Sequence, residues 1–266
     1  VSEALRPVLA GIPRGAPVAV TCGSRGIDRI AQVVRAVCTT LREAGAQPLV
    51  LPAMGSHGGA AADGQRRLIA DYGVTEEFIR APIVSAMDTV SLGRTEEGIE
   101  VFMDRAAWEA GRVLALNRVK PHTDFSGRIE SGLLKIMAVG MGKEDGARET
   151  HHWGWKYGFE RTIRAMSAVS VASGKILGGL AVIENELHQI CAVHAAPPEG
   201  IAALDESALE MARPLVPRIP FPAFQLLVVD EMGKNISGTG MDTKVIGRGV
   251  ELQPGEAPEI DMIYVC

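Results

Sequence analysis

Histidines and one oddly placed lysine hold most of the chemical potential of this 266-residue chain. His57 stands in Gly55-Ser56-His57-Gly58-Gly59 and His122 in Lys120-Pro121-His122, each directly after a short apolar run. Imidazole titrates near neutral pH, so two of them can take and return a proton in one reaction. A single loop histidine is ordinarily a solvated polar residue, whereas two that follow separate strands of one sheet face a common crevice. His151 and His152 lie together in Thr150-His151-His152-Trp153-Gly154-Trp155. Indoles beside an imidazole can wall a metal or a planar cofactor from water, or they can form a plain core patch. His188 and His194 have no such setting and read as structural. Lys135 interrupts the apolar run Gly132-Leu-Leu-Lys135-Ile-Met-Ala-Val-Gly140. A lysine there either snorkels to water or is held with a lowered pKa, as a nucleophile or an attachment point.

The elements that must position these residues alternate between strand and helix signals. PVAVTC at 17–22 is a short buried-strand pattern and leads into the polar turn Gly23-Ser24-Arg25-Gly26. Apolar residues at helical spacing (Ile30, Val33, Val34, Val37, Leu41) predict a helix over 27–44 that stops at Gly45. PLVLPA at 48–53 is the next strand, a helix follows over 62–72, and RVLALNRV at 112–119 is a further strand. Short strands and helices in alternation predict an α/β fold: a mostly parallel sheet with helices on both faces, Rossmann-like. Ligands of such sheets sit beyond the carboxyl ends of the strands, where Gly-Ser-Arg, Gly-Ser-His and Lys-Pro-His all fall.

Residues 129–164 read as helices broken by a Gly-rich turn, 178–185 and 189–195 as a hairpin or adjacent strands, and 201–213 as a helix. The Pro-rich stretch 214–223 is the best boundary in the chain. The expected organisation is an N-terminal α/β domain over 1–213, the connector, and the start of a second α/β domain over 224–266. The first residue is Val1 and the last lies inside the apolar run EIDMIYVC, so a piece of a longer chain is expected.

Composition narrows the partners. Lys and Arg total 27 against 32 Asp and Glu, a formal charge of −5 with no basic block, which argues against nucleic acid. No stretch reaches the roughly 18 apolar residues of a membrane helix. The four cysteines are scattered, which fits a reducing, cytoplasmic setting better than a disulfide framework. Gly140-Met-Gly142-Lys-Glu-Asp-Gly146 is spaced GxGxxxG and follows no strand, so it is rejected as a dinucleotide site.

Taken in order, Ala53-Met-Gly55-Ser-His57, Pro121-His122 with Phe125-Ser126-Gly127, Lys135, and Gly146-Ala-Arg-Glu-Thr-His151 resemble the nickel-pincer lactate racemase family. The likeness runs from Arg25 to about Lys244. It implies a pyridinium-derived pincer nucleotide that holds nickel through one carbon and two sulfurs and is tethered at the position of Lys135. It implies His151 as the protein's nickel ligand, with His152 as its neighbouring alternative. His57 and His122 match the acid/base pair, while Arg25, Ser126 and Lys244 match cofactor- or substrate-binding positions. The implied activity is racemisation or epimerisation of a small 2-hydroxy acid, with cofactor-biosynthesis proteins as loading partners. Cys22 replaces an acidic residue of the racemases, Gly58 replaces an arginine, and 13 residues separate His122 from Lys135. Those departures point to a 2-hydroxy acid other than lactate, larger or more acidic. Two other readings remain open on the residues alone. One is a zinc- or other metal-dependent hydrolase or lyase using His57, His122 and His151 as ligands; the other is a non-catalytic cofactor-binding homologue.

Overall fold

The computed structural model describes residues 1–24, 26–233, 236–249 and 258–266. The elements run α1 (Ser2–Leu9), β1 (Pro17–Cys22), α2 (Ile30–Glu43), β2 (Gln47–Pro52), α3 (Ala62–Asp71), α4 (Glu76–Ile79), β3 (Thr89–Arg94), β4 (Glu100–Asp104) and α5 (Arg105–Ala110). They continue β5 (Val113–Arg118), α6 (Leu133–Lys135), a π-helical turn (Ile136–Gly140), α7 (Lys143–Tyr157), α8 (Phe159–Ala172), β6 (Ile176–Glu184) and β7 (Ile190–Ala196). The last are α9 (Ile201–Ala212), β8 (Ala223–Val229) and β9 (Glu259–Val265).

The central sheet has the order β2-β1-β5-β6-β7. Its β2-β1, β1-β5 and β5-β6 pairs are parallel, and β7 closes the edge antiparallel to β6, giving the mostly parallel α/β sheet expected from the sequence. Strand side chains alternate between faces, and here both faces are dry. Val18, Val20 and Cys22 of β1 join Leu114, Leu116, Leu180 and Val182 in a core with α1 and α2. Ala19, Ala115, Ala181 and Ile183 join α5, α6, α8 and α9 on the other face. Burial on two sides explains why these strands read as continuous apolar runs.

Two details differ from the sequence expectation. The second helix starts at Ile30 and not at residue 27, because the Asp28 N–H donates to Glu184 at the end of β6 (2.7 Å) and Arg29 turns left-handed with φ 48°. The Lys135 run is not one helix: a single α-helical turn passes into the π-helical turn. The β3–β4 hairpin and α1 were not legible in the sequence. Among the described residues no helix is long and apolar enough to cross a membrane. β8 and β9 pair in parallel as a separate two-stranded sheet.

Candidate active site

Neighbouring parallel strands bring Ser24 and His57 together. Ser24 follows β1, His57 follows β2, and Ser24 Oγ lies 2.5 Å from His57 Nδ1. The Tyr72 hydroxyl donates to the Ser24 carbonyl at 2.9 Å. Beneath the histidine loop, the buried Gln65 donates from Nε2 to the carbonyls of Gly55 (2.8 Å) and His57 (3.1 Å). Gly58 has φ +67°, and a Cβ there would lie 2.7 Å from the Gln65 backbone nitrogen. That crowding accounts for glycine where an arginine was the expected neighbour of the histidine. Cys22, in the other departing position, is fully buried, and burial pushes its thiol up to about 12. An acidic group there would sit in the core. Arg25, the residue expected to clamp an anion, lies outside the described residues.

A buried carboxylate organises the second histidine loop. Glu130 Oε2 accepts the His122 N–H at 2.5 Å and the Lys244 ammonium at 2.6 Å, and Oε1 accepts from Gly127 N at 3.4 Å. Arg213 pairs with Oε1 at 3.2 Å. Lys244 Nζ also donates to the Phe125 carbonyl at 3.0 Å, and the Thr243 hydroxyl donates to the Thr123 carbonyl. Lys244 therefore sits on the His122 loop, with its charge on Glu130. The Asp124 N–H donates to His122 Nδ1 at 3.0 Å, so a neutral ring carries its proton on Nε2 and presents a donor there.

Lys135 and His151 meet around two phenyl rings. Phe125 lies 4.6 Å from the His122 ring and stacks on Phe159 at 5.4 Å between centroids. Lys135 Nζ is 5.9 Å from the Phe125 centroid, and His151 meets Phe159 edge-on at 6.4 Å. Partial burial holds the His151 pKa below the usual imidazole value, and the Lys135 charge pushes the same way while Asp124 opposes. The neutral imidazole, with a lone pair free to ligate, is thereby favoured. His152 packs instead against Trp153, with centroids 5.1 Å apart. Lys135 is half-buried, between the two states its sequence setting allowed. The turn that displays it is held by Asp205, whose carboxylate accepts Leu133 N at 2.8 Å and Leu134 N at 3.0 Å. Ser126 is exposed and joins Phe125, Phe159, Trp155 and Arg161 in lining a groove of about 820 Å³.

His122, Lys135 and His151 thus share the Phe125–Phe159 stack. The His57 loop joins them through the Gly55 N–H, which donates to Gly140 at the end of the π-helical turn that begins beyond Lys135 (3.3 Å). Among the described residues no three His, Cys, Asp or Glu side chains form a group able to hold a metal. The zinc reading on His57, His122 and His151 is therefore corrected: the three rings pack against Ser24, Phe125 and Phe159 and do not converge as ligands. A cofactor that brings its own donors needs only one imidazole and one amine from the protein, and the His151–Lys135 pair fits that requirement. Glu130, Asp205 and Gln65 were missed as functional supports. Glu130 was visible as a charge between His122 and Lys135, but its partners lie far along the chain.

Residues 18–154 match the model of the lactate racemase N-terminal domain. No curated protein matches the chain in sequence. Among solved structures, a protein from Thermotoga maritima is similar with 18% identity and TM-score 0.63, over 88% of this chain and 63% of that one. The lactate racemase apoprotein from Thermoanaerobacterium thermosaccharolyticum is similar with 16% identity and TM-score 0.57, over 85% of this chain and 55% of its own. The chain therefore spans less than two thirds of either protein, and at these identities both likenesses concern the fold.

Proposed function

The chain belongs to the lactate racemase N-terminal domain family, and from that premise we propose that it is the catalytic part of a 2-hydroxy-acid racemase or epimerase. The observation that carries the reading is the clustering of His122, Lys135 and His151 on the Phe125–Phe159 stack, with the His57 loop tied to the same turn. Lys135 would tether a nickel-pincer nucleotide and His151 would ligate its metal, with Arg25, Ser126 and Lys244 as further binding groups. When bound, that cofactor supplies the acceptor for the hydrogen and electron pair leaving C2 of the substrate.

The protein's own task is to handle the hydroxyl proton and orient the acid. As C2 becomes planar, the O–H proton must go to a base, and it must come back when the alcohol is restored. His57 and His122 fill that role from separate loops, one for each enantiomer. In the His122 geometry a neutral ring donates from Nε2, while His57 shares Nδ1 with a hydroxyl that can either give or accept. His57, when its Nδ1–H is given to Ser24, keeps a lone pair on Nε2 for the proton, whereas His122 takes one only after its Nδ1 leaves the Asp124 N–H. The stacked Phe125 and Phe159 give this side of the site an apolar wall, and Arg25 would clamp the carboxylate. Residues 224–266 are proposed as the start of a second domain, and the surroundings expected are cytoplasmic, with cofactor-making enzymes as loading partners.

The test is a screen of single-enantiomer 2-hydroxy acids, deuterated at C2, on cofactor-loaded protein. Interconversion with the label kept at C2, lost on His57→Ala or His122→Ala, is the expected result. Interconversion that survives both substitutions overturns the histidine assignment, and no turnover of any 2-hydroxy acid overturns the activity.

A further inference from the structure

The most deeply buried cation in the described structure lies outside the groups considered so far. Lys143 opens α7 with 0% exposure and a left-handed φ of +53°. Its ammonium pairs with the buried Asp104 at 2.9 Å and donates to the Pro52 carbonyl at 2.5 Å and to Gln65 Oε1 at 3.4 Å. Taking both members of an ion pair out of water is costly, and an apolar pair of similar volume is often as stable or more so. Left-handed backbone at a non-glycine adds strain that is typical of functional regions. Neither cost is explained by the fold alone.

The partners of Lys143 suggest what it does. Asp104 ends β4 and caps α5 through Ala106 and Ala107 N–H, so the anion is itself fixed. Pro52 ends β2, the strand that leads into the His57 loop. Gln65 is the link. A side-chain amide can present oxygen or nitrogen to a neighbour, but an ammonium, having only donors, can bond only to the oxygen. With Oε1 turned to Lys143, Nε2 must face the other way, and there it holds the carbonyls of Gly55 and His57.

We propose that Lys143, anchored by Asp104 and acting through Gln65, is the positioning residue for His57. It orients the amide that clamps residues 55–57 and so sets the imidazole against Ser24. The importance of this role for turnover rests on the acid/base reading of His57, but the geometry is open to test without turnover.

The experiment is ¹⁵N NMR of the histidine rings in the cofactor-free protein, comparing wild type with Gln65→Glu and Lys143→Met. Glutamate at 65 keeps a partner for the ammonium and removes both donors to the loop. The expected result is that His57 nitrogen shifts move from those of a ring bonded to the Ser24 hydroxyl toward those of a freely solvated imidazole. His188 and His194 signals should stay in place and the melting temperature should hold within a few degrees. Lys143→Met, or Lys143→Met combined with Asp104→Asn where the single variant fails to fold, should move His57 in the same direction, and a folded variant of either kind with unchanged His57 signals overturns the proposal. A folded Gln65→Glu protein with unchanged His57 signals overturns the proposal. Loss of racemisation is not used as the criterion, so a failed acid/base assignment would appear in the turnover screen and leave this result standing.

Discussion

Glu130 holds His122 by its backbone: the buried carboxylate accepts the His122 N–H at 2.5 Å, from the far end of the loop that displays the ring. The same group takes Gly127, Lys244 and Arg213, so one anion joins the loop to two distant cations. The loop needs this because it has no helix or strand of its own between β5 and α6. Two backbone bonds between Lys120 and Ser131 close its base, and within that bridge a side chain sets its position.

Glu130→Gln should therefore loosen the loop. The amide keeps one acceptor but turns an NH₂ toward donors, leaving both Lys244 and Arg213 without their anion. Hydrogen bonds to charged groups are worth about 1.5–3 kcal/mol, and a loss in that range is expected by urea unfolding. Lys244→Met should cost less, because that ammonium is partly exposed and screened by water.

Gly58 and Gly59 make a matched pair for the His57 loop. Both have left-handed φ, +67° and +70°, so alanine at either costs about 1 kcal/mol or somewhat more for conformation alone. Only at 58 would the new Cβ press on backbone, at 2.7 Å from Gln65 N, while nothing lies within 4 Å at 59. Gly58→Ala should thus be the more destabilising of the two in thermal melts and should disturb the His57 ring signals. Equal effects would mean that the close approach to α3 relaxes at no cost.

The Phe125–Phe159 stack supports three of the proposed site residues, and its strength is measurable. A double-mutant cycle of Phe125→Leu and Phe159→Leu should give a coupling of about 0.5–1.5 kcal/mol, the range for aromatic pairs. Near-zero coupling would reduce the stack to two independently buried rings.

What the sequence made legible follows from the range of the interactions. Residues 17–22 and 48–53 are buried on both faces, so their apolar runs announce strands, and the Gly-Ser turns after them mark the ligand-binding edge. The 176–196 hairpin was readable for a similar local reason. The β3–β4 hairpin was not, because β3 is largely solvated and the deeply buried residues of β4 are Val101, Met103 and the polar Asp104. The supports of the site were hidden most completely. Glu130 meets Arg213 and Lys244 across 83 and 114 residues, and Lys143 meets Gln65 across 78, separations that no local spacing encodes.

Asp205 gives the protein a pH dependence of unusual sign. Burial pushes its carboxyl from 3.8 up to about 6, against the opposing pull of the Leu134 and Leu133 N–H groups and of Arg164. Between those values the folded state binds a proton that the unfolded state has released. The group's contribution is thus greatest below about pH 4 and is lost as pH rises through 6. The displacement corresponds to about 3 kcal/mol, at 1.36 kcal/mol per unit of pKa. Asp205→Asn is uncharged throughout and keeps only one acceptor oxygen for the turn that displays Lys135. It should be clearly destabilising at pH 4.5, where the wild-type carboxyl is mostly protonated in the fold. At pH 7 the wild type must hold a buried charge, so the gap should narrow by most of that amount. Urea midpoints of both proteins across pH 4.5–7 measure the difference directly, and groups common to both cancel. A gap that stays constant would show that Asp205 is ionised in the fold over the whole range, with its two backbone donors and Arg164 outweighing its burial.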